Sequence, residues 1–262
     1  MIGIITNDET NIFQRQVIAG IRAIAEPKGY AVAVDSIAQD PANRKPISLD
    51  IKALSGVLVI ANVLPNEALR DLYHSGKPLS LVSHRVRYTP IPAVIPDNTG
   101  GITELVNYLV TNRAKKRIVF IQGDMNQNDG IERTTAFRRQ LMRHNIPIDD
   151  RLFLRGDFTP NVAEASMREF LAQNIPFDAV AGADFLMAIS AMRVLEGANM
   201  GNIAVVGFGD GVEAAQAGLT TVGVDVEQIG SRAARQLIGQ IEGLRINGVT
   251  LLSTTIVERQ SC

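Results

Sequence analysis

The sequence predicts an α/β protein made of two doubly wound lobes, each a parallel sheet covered by helices. Three observations predict it. Short β-branched runs alternate with helix-length amphipathic segments, the pattern of parallel strands joined by crossover helices. Pro90, Pro92 and Pro96 fall close together and interrupt the series, marking a linker with no regular structure. The alternation then restarts, as a second lobe requires. A chain of 262 residues with 46% hydrophobic content can bury one large core or two smaller ones.

Ile2 to Thr6 reads as the first strand, and Phe13 to Ala25 as a helix with Val17, Ile18, Ile21 and Ile24 on one face, ended by Gly29. A strand from Ala31 to Val34, a polar connection from Asp40 to Pro46, a strand from Gly56 to Ile60 and a helix around Asn66 to Ser75 follow. Pro78 to Val82 is the last strand before the prolines. The second series holds a helix from Thr99 to Asn112, a strand from Arg117 to Ile121 and a helix from Thr134 to His144, with further strands at Ala179 to Ala181 and Ile203 to Val206. Solenoid repeats and low-complexity tracts are absent from the sequence.

Composition excludes several classes. With 26 basic residues against 27 acidic, the formal charge of −1 offers no surplus for gripping a phosphate backbone. Cys262 is the single cysteine, so the sequence holds neither an internal disulfide nor a thiolate zinc site, which fits a reducing, cytoplasmic compartment. The start, from Met1 to Asp8, has no leader pattern, and no apolar run reaches the ~18 residues of a membrane span. His74, His84 and His144 lack metal-ligand spacing. Nucleophile-elbow, zinc-helix and Walker motifs are missing, so neither an enzyme nor a cofactor is expected.

Ligands in doubly wound sheets meet the carboxyl ends of strands. The loops there are polar: Asn7, Asp8 and Asn11; Ser83, His84 and Arg85; Gln122 to Asp129; Asp184; Asp210. Such groups bond a polyhydroxylated or zwitterionic molecule in both directions. The stretch GFGDG at 207 to 211 follows a strand, but Val212 stands where a dinucleotide fingerprint needs its third glycine. A plain turn and a modified ligand loop both remain open for it.

The stretch AVVGFGDGVEAAQAGLTTVGVDVEQIGSRAARQLIGQIEG resembles the effector-binding domain of the lac repressor (LacI/GalR) family of bacterial regulators. IGIITNDETNIF, GIRAIAEPKGY, LSGVLV, GKPLSLVS, IPDNTGG, KKRIVFIQG, RTTAF and VERQSC resemble that family's segments in order, over essentially the whole chain from residue 2. The resemblance implies a type I periplasmic-binding-protein-like fold, with a small polar effector, a sugar or related metabolite, held in a cleft between the lobes and biasing their orientation. It implies three crossings, near Pro96-Asp97-Asn98, Gly223-Val224-Asp225 and Asn247 to Thr250. The N-terminal lobe is then 1–96 plus 226–247 and the C-terminal lobe 97–225 plus 248–262. The DNA-binding headpiece that such regulators carry has no counterpart in these residues, so operator DNA is expected only through a headpiece outside this chain. A transporter's solute-binding protein and the sensor of another signalling protein are the alternatives.

Carried over residue by residue, the resemblance implies ligand contacts from Asp8, Asn11 and Phe13, from Ser83 and His84, from Arg133 through its planar guanidinium fork, and from Asp184 and Asp210. Core packing stays open for Phe13, a solvated loop for His84, a helix N-cap for Asp184 and solvent for Asp210. Ala183 and Gly209 replace two polar groups common in the family. The family also implies a homodimer, with Ala68, Leu69, Leu72, Val63 and Leu64 as apolar candidates for its interface.

Overall fold

The computed structural model describes residues 1–37 and 46–262. Most of the polar connection expected between Asp40 and Pro46 lies outside them. Along the chain run β1 (Ile2–Thr6), α1 (Ile12–Ala25), β2 (Val32–Ser36), β3 (Gly56–Ile60), α2 (Asn66–His74), β4 (Leu79–Val82) and β5 (Ala93–Pro96). The second series is α3 (Asn98–Asn107), β6 (Ile118–Gln122), α4 (Asn128–Arg143), β7 (Phe153–Arg155), α5 (Pro160–Ala172), β8 (Ala179–Gly182), α6 (Phe185–Gly197), β9 (Ala204–Phe208), α7 (Val212–Gln216) and β10 (Thr220–Gly223). Helix α8 (Val226–Ile241) and strands β11 (Val249–Leu252) and β12 (Thr255–Val257) close the chain.

These elements form two compact units, Met1–Pro96 with Asp225–Leu252, and Asp97–Val224 with Ser253–Cys262. In the first, six parallel strands run in the order β11-β5-β4-β3-β1-β2. Strands β1, β3 and β4 are buried throughout because helices cover both faces. Ile5, Val57, Val59, Leu79 and Leu81 cluster with Leu69 of α2. Helix α8 packs beside α1, where Ser231 Oγ donates to the Gly20 carbonyl at 3.2 Å. The second unit repeats the plan in the order β12-β10-β9-β8-β6-β7, parallel except for the antiparallel β10–β12 pair. Its core centres on Phe120 and Phe137, stacked with ring centroids 4.2 Å apart.

Several expectations need correction. The proline-rich segment contains β5, because Pro92 and Pro96 flank the amides that the ladder needs instead of interrupting them; Leu81 N donates to Pro92 O at 2.8 Å. Residues 249–252 belong with the first unit, not the second, because β11 pairs with β5 from Val249 to Leu252. Val63, Leu64 and Leu69 are buried in their own unit's core, so they form no apolar surface for a second copy. Helix α3 also stops earlier than expected and passes into a π turn at Tyr108–Asn112, while α4 begins earlier, at Asn128.

Candidate functional site

The strand order reverses beside β1 in the first unit and beside β6 in the second, so the carboxyl ends of β1 and β3, and of β6 and β8, flank topological switch points. Positive φ at residues other than glycine falls partly at strand ends. Asn145, Asn174 and Asn199 have positive φ as ordinary left-handed stops of α4, α5 and α6. Ala61 (φ 56°), Ser83 (51°), Asp157 (52°) and Phe158 (54°) are different: they follow β3, β4 and β7 and cap no helix.

In the first unit the β1–α1 loop is tied from within. Buried Gln14 accepts from Thr6 Oγ1, donates to Asn7 Oδ1 and accepts from Asp8 N at 3.2 Å. Asp8 Oδ1 accepts from Thr10 Oγ1 at 2.6 Å and Thr10 N at 2.9 Å, and these bonds hold its carboxyl below the usual range. Asn11 caps α1, accepting from Gln14 N, and Phe13 is half-buried beside it. After β4, Ser83 is buried, and its Oγ has no hydrogen-bond partner among the described residues. His84 is buried as well and shares a 2.8 Å hydrogen bond with Asn66 Oδ1; burial depresses its pKa to about 4, so the ring is neutral at pH 7. The solvated-loop alternative for His84 is thereby excluded.

In the second unit Arg133 is the hub. Its Nε donates to Asn98 Oδ1 at 2.8 Å, its Nη1 donates to Ala183 O at 2.7 Å, and its Nη2 lies 3.6 Å from Asp129 Oδ2. Asn98 Nδ2 donates in turn to Asp129 at 2.8 Å and to Glu132 at 2.9 Å. The guanidinium carbon sits 3.9 Å from the ring centroid of Phe208 and 5.6 Å from that of Phe158. Burial raises the carboxyls of Asp129 and Asp184, partly offset by the charge of Arg133. Asp184 caps α6, accepting from Leu186 N at 2.8 Å and Met187 N at 3.2 Å. Phe158 packs on Gly123, where an added Cβ would come within 2.2 Å of the ring, so glycine is required by the close approach.

The structure thus joins Ser83 with His84, Asp8 with Asn11, and Arg133 with the charge of Asp184. Asp210 is set aside from these: Arg259 Nη1 and Nη2 hold its two carboxylate oxygens at 2.9 Å each, and Arg259 also donates to Leu219 O at 2.7 Å. Its carboxylate is engaged by Arg259 while its side chain stays a quarter exposed. Arg133, expected as an open fork, instead spends much of its donor capacity on protein. The residues missed are Gln14, Asn66, Asn98, Phe158 and Arg259. Asp129 was readable as an i,i+4 partner of Arg133; the missed residues meet their partners only through the fold. Among the described residues no group of His, Cys, Asp and Glu is arranged to hold a metal ion.

The chain thus holds two doubly wound units with polar groups at their strand ends. The model of the periplasmic binding protein-like domain family matches residues 106–262. The HTH-type transcriptional regulator CelR of Thermobifida fusca is 32% identical over 202 residues, 75% of this chain and 58% of that protein. A solved CelR–cellobiose complex has a TM-score of 0.87 at 24% identity, covering 100% of this chain and 84% of that one. The lac repressor dimer bound to operator and the anti-inducer ONPF has a TM-score of 0.86 at 21% identity, covering 99% and 93%. The chain belongs to the periplasmic binding protein-like domain family, and its fold is that of the lac repressor core. Its relatives are transcriptional regulators, not enzymes, and it spans less than two thirds of the length of CelR. No helix among the described residues is long and apolar enough to cross a membrane.

Proposed function

We propose that this chain is the sensor of a cytoplasmic transcriptional regulator, binding a small polar effector with strand-end groups of both units and so biasing their relative orientation. Ser83 carries the reading. A buried hydroxyl without a partner costs stability, and so does left-handed backbone at a residue other than glycine. Both costs fall on one residue at the carboxyl end of a strand, where a ligand oxygen would supply the missing bond. The neutral ring of His84, the Arg133–Asn98 cluster and the Phe208 and Phe158 faces suit a polyhydroxylated molecule, a sugar or related metabolite. The cellobiose held by CelR supports a sugar. In this reading the domain works as a homodimer and reaches operator DNA through a separate reading head.

Thermal denaturation against a library of sugars, nucleosides and small amino compounds tests the reading. A ligand at a hundred times its Kd stabilises by about 2.7 kcal/mol, a shift of several degrees. A folded sample that no compound stabilises contradicts it.

A further inference from the structure

Asn247 and Gly248 form the only Asn-Gly pair in the sequence. They stand in the first unit, between α8 and β11, outside both elements, and Asn247 is exposed. In such a pair the backbone nitrogen of the glycine can close on the side-chain amide carbon before it, and the glycine has no side chain to shield that carbon, which is why asparagine is thermolabile. Three observations make this pair reactive in the folded chain. Gly248 N donates to no group among the described residues, so no hydrogen bond withholds the nucleophile. Gly248 has φ 85° and open space where a Cβ would stand, so no packing resists its movement. The hydroxyl of Tyr73, near the end of α2, donates to Asn247 Oδ1 at 3.4 Å. That oxygen takes up negative charge when the amide carbon is attacked, and a donor aimed at developing charge lowers the barrier.

We infer that Asn247 is a self-modification site, at which Gly248 N displaces the side-chain nitrogen of Asn247 with help from the Tyr73 hydroxyl. Gly248 N loses its proton to solvent base as its bond to Asn247 Cγ forms; the Cγ–Nδ2 bond breaks, and Nδ2 takes a proton from water and leaves as ammonia. Water then adds to either carbonyl of the cyclic imide, whose bond to nitrogen breaks, and the nitrogen regains its proton. The net change is asparagine plus water to aspartate or isoaspartate plus ammonia, without oxidation or reduction. Both products add a negative charge. The isoaspartyl product also routes the main chain through the side chain, inserting one carbon just before Gly248, whose carbonyl accepts from Ala93 N at 3.0 Å. That bond begins the seating of β11 on β5, and β11 is an edge strand. Conversion therefore loosens β11, slowly and irreversibly, just before the chain enters the second unit at Ser253.

The test incubates the whole chain at pH 8, folded or in guanidinium chloride, and follows the tryptic peptide 246–259 by mass spectrometry, with chromatography to resolve the isoaspartyl form. That peptide lies between Arg245 and Arg259 and holds Asn247 as its one side-chain amide, so a change from amide to acid has a single address. The folded parent should convert at least as fast as the unfolded one. Tyr73→Phe should slow the folded chain several fold and leave the rate in denaturant unchanged. The comparison of folded with unfolded parent needs no variant and decides the matter even if Tyr73→Phe does not fold. Hydrogen exchange at the Ala93 amide should quicken in the converted, folded sample. A folded chain that keeps its amide, or converts only in denaturant, overturns the inference. A folded Tyr73→Phe variant that converts as fast as the parent overturns it too, and an Ala93 amide equally protected after conversion overturns the loosening of β11.

Discussion

Acidification from pH 7 to pH 5 should cost this protein stability through His84. The ring is buried, bonded to Asn66 Oδ1 at 2.8 Å, and its pKa falls from 6.5 to about 4 because burial disfavours the charged form. Its folded pKa is depressed, so the stability it contributes is complete above pH 6.5 and is lost as pH falls toward 4. At pH 5 the unfolded ring is nearly all protonated and the folded ring mostly neutral, which costs roughly 2 kcal/mol relative to pH 7. Asp129 and Asp184 work in the opposite sense: burial raises their carboxyls, so their folded forms gain protons on acidification and favour folding. The informative quantity is therefore the difference between the parent and His84→Gln, which keeps an amide beside Asn66 and cannot titrate. Urea unfolding followed by circular dichroism at pH 7, 6 and 5 should show the parent losing about 2 kcal/mol more than the variant. Equal pH slopes, or a His84 resonance titrating near 6.5 by NMR, would refute the buried-neutral assignment.

Three further outcomes follow from the same contacts. Ser83→Ala removes a hydroxyl that has no partner among the described residues, so the melting temperature of the unliganded protein should hold or rise by a few degrees while effector affinity falls about tenfold; unchanged affinity would remove Ser83 from the site. Arg259→Lys and Asp210→Asn each break the paired 2.9 Å bonds and should cost about 1–3 kcal/mol; a double variant no worse than either single one is expected, and full additivity would show that the two do not act together. Gly123→Ala drives a Cβ into the ring of Phe158 and should weaken effector binding more than Gly197→Ala, where open space surrounds the new atom; equal effects, read by calorimetry, would contradict a role for the ring.

The architecture was largely legible in the sequence because β-branched runs and amphipathic periodicity report burial directly, and β1 and β3 fall on their expected residues. The proline segment misled because composition does not tell where along a strand a proline sits: at the ends of β5 it removes no ladder bond. The third boundary was misplaced because the side of β11 is set by pairing with β5, more than 150 residues earlier in the chain, and a four-residue edge strand carries no address. The strand-end loops could be named from sequence, but not the internal satisfaction of their groups. Asp210 read as available because nothing local announces Arg259, and Arg133 read as an open fork because Asn98 and the Ala183 carbonyl are distant in sequence. Strain at Asp157 and Phe158 has no composition signal, since neither is a residue that favours a left-handed backbone as glycine does.

Amide hydrogen exchange with and without a stabilising sugar tests the central claim most directly, that the strand ends form the effector site. The account predicts added protection in the loops after β1, β4, β6, β7, β8 and β9, covering Asp8, Ser83, Gly123, Phe158, Asp184 and Gly209, in both units at once. Protection confined to one unit, or to the amino-terminal ends of the strands near Lys116, Asn145 and Pro147, would contradict it.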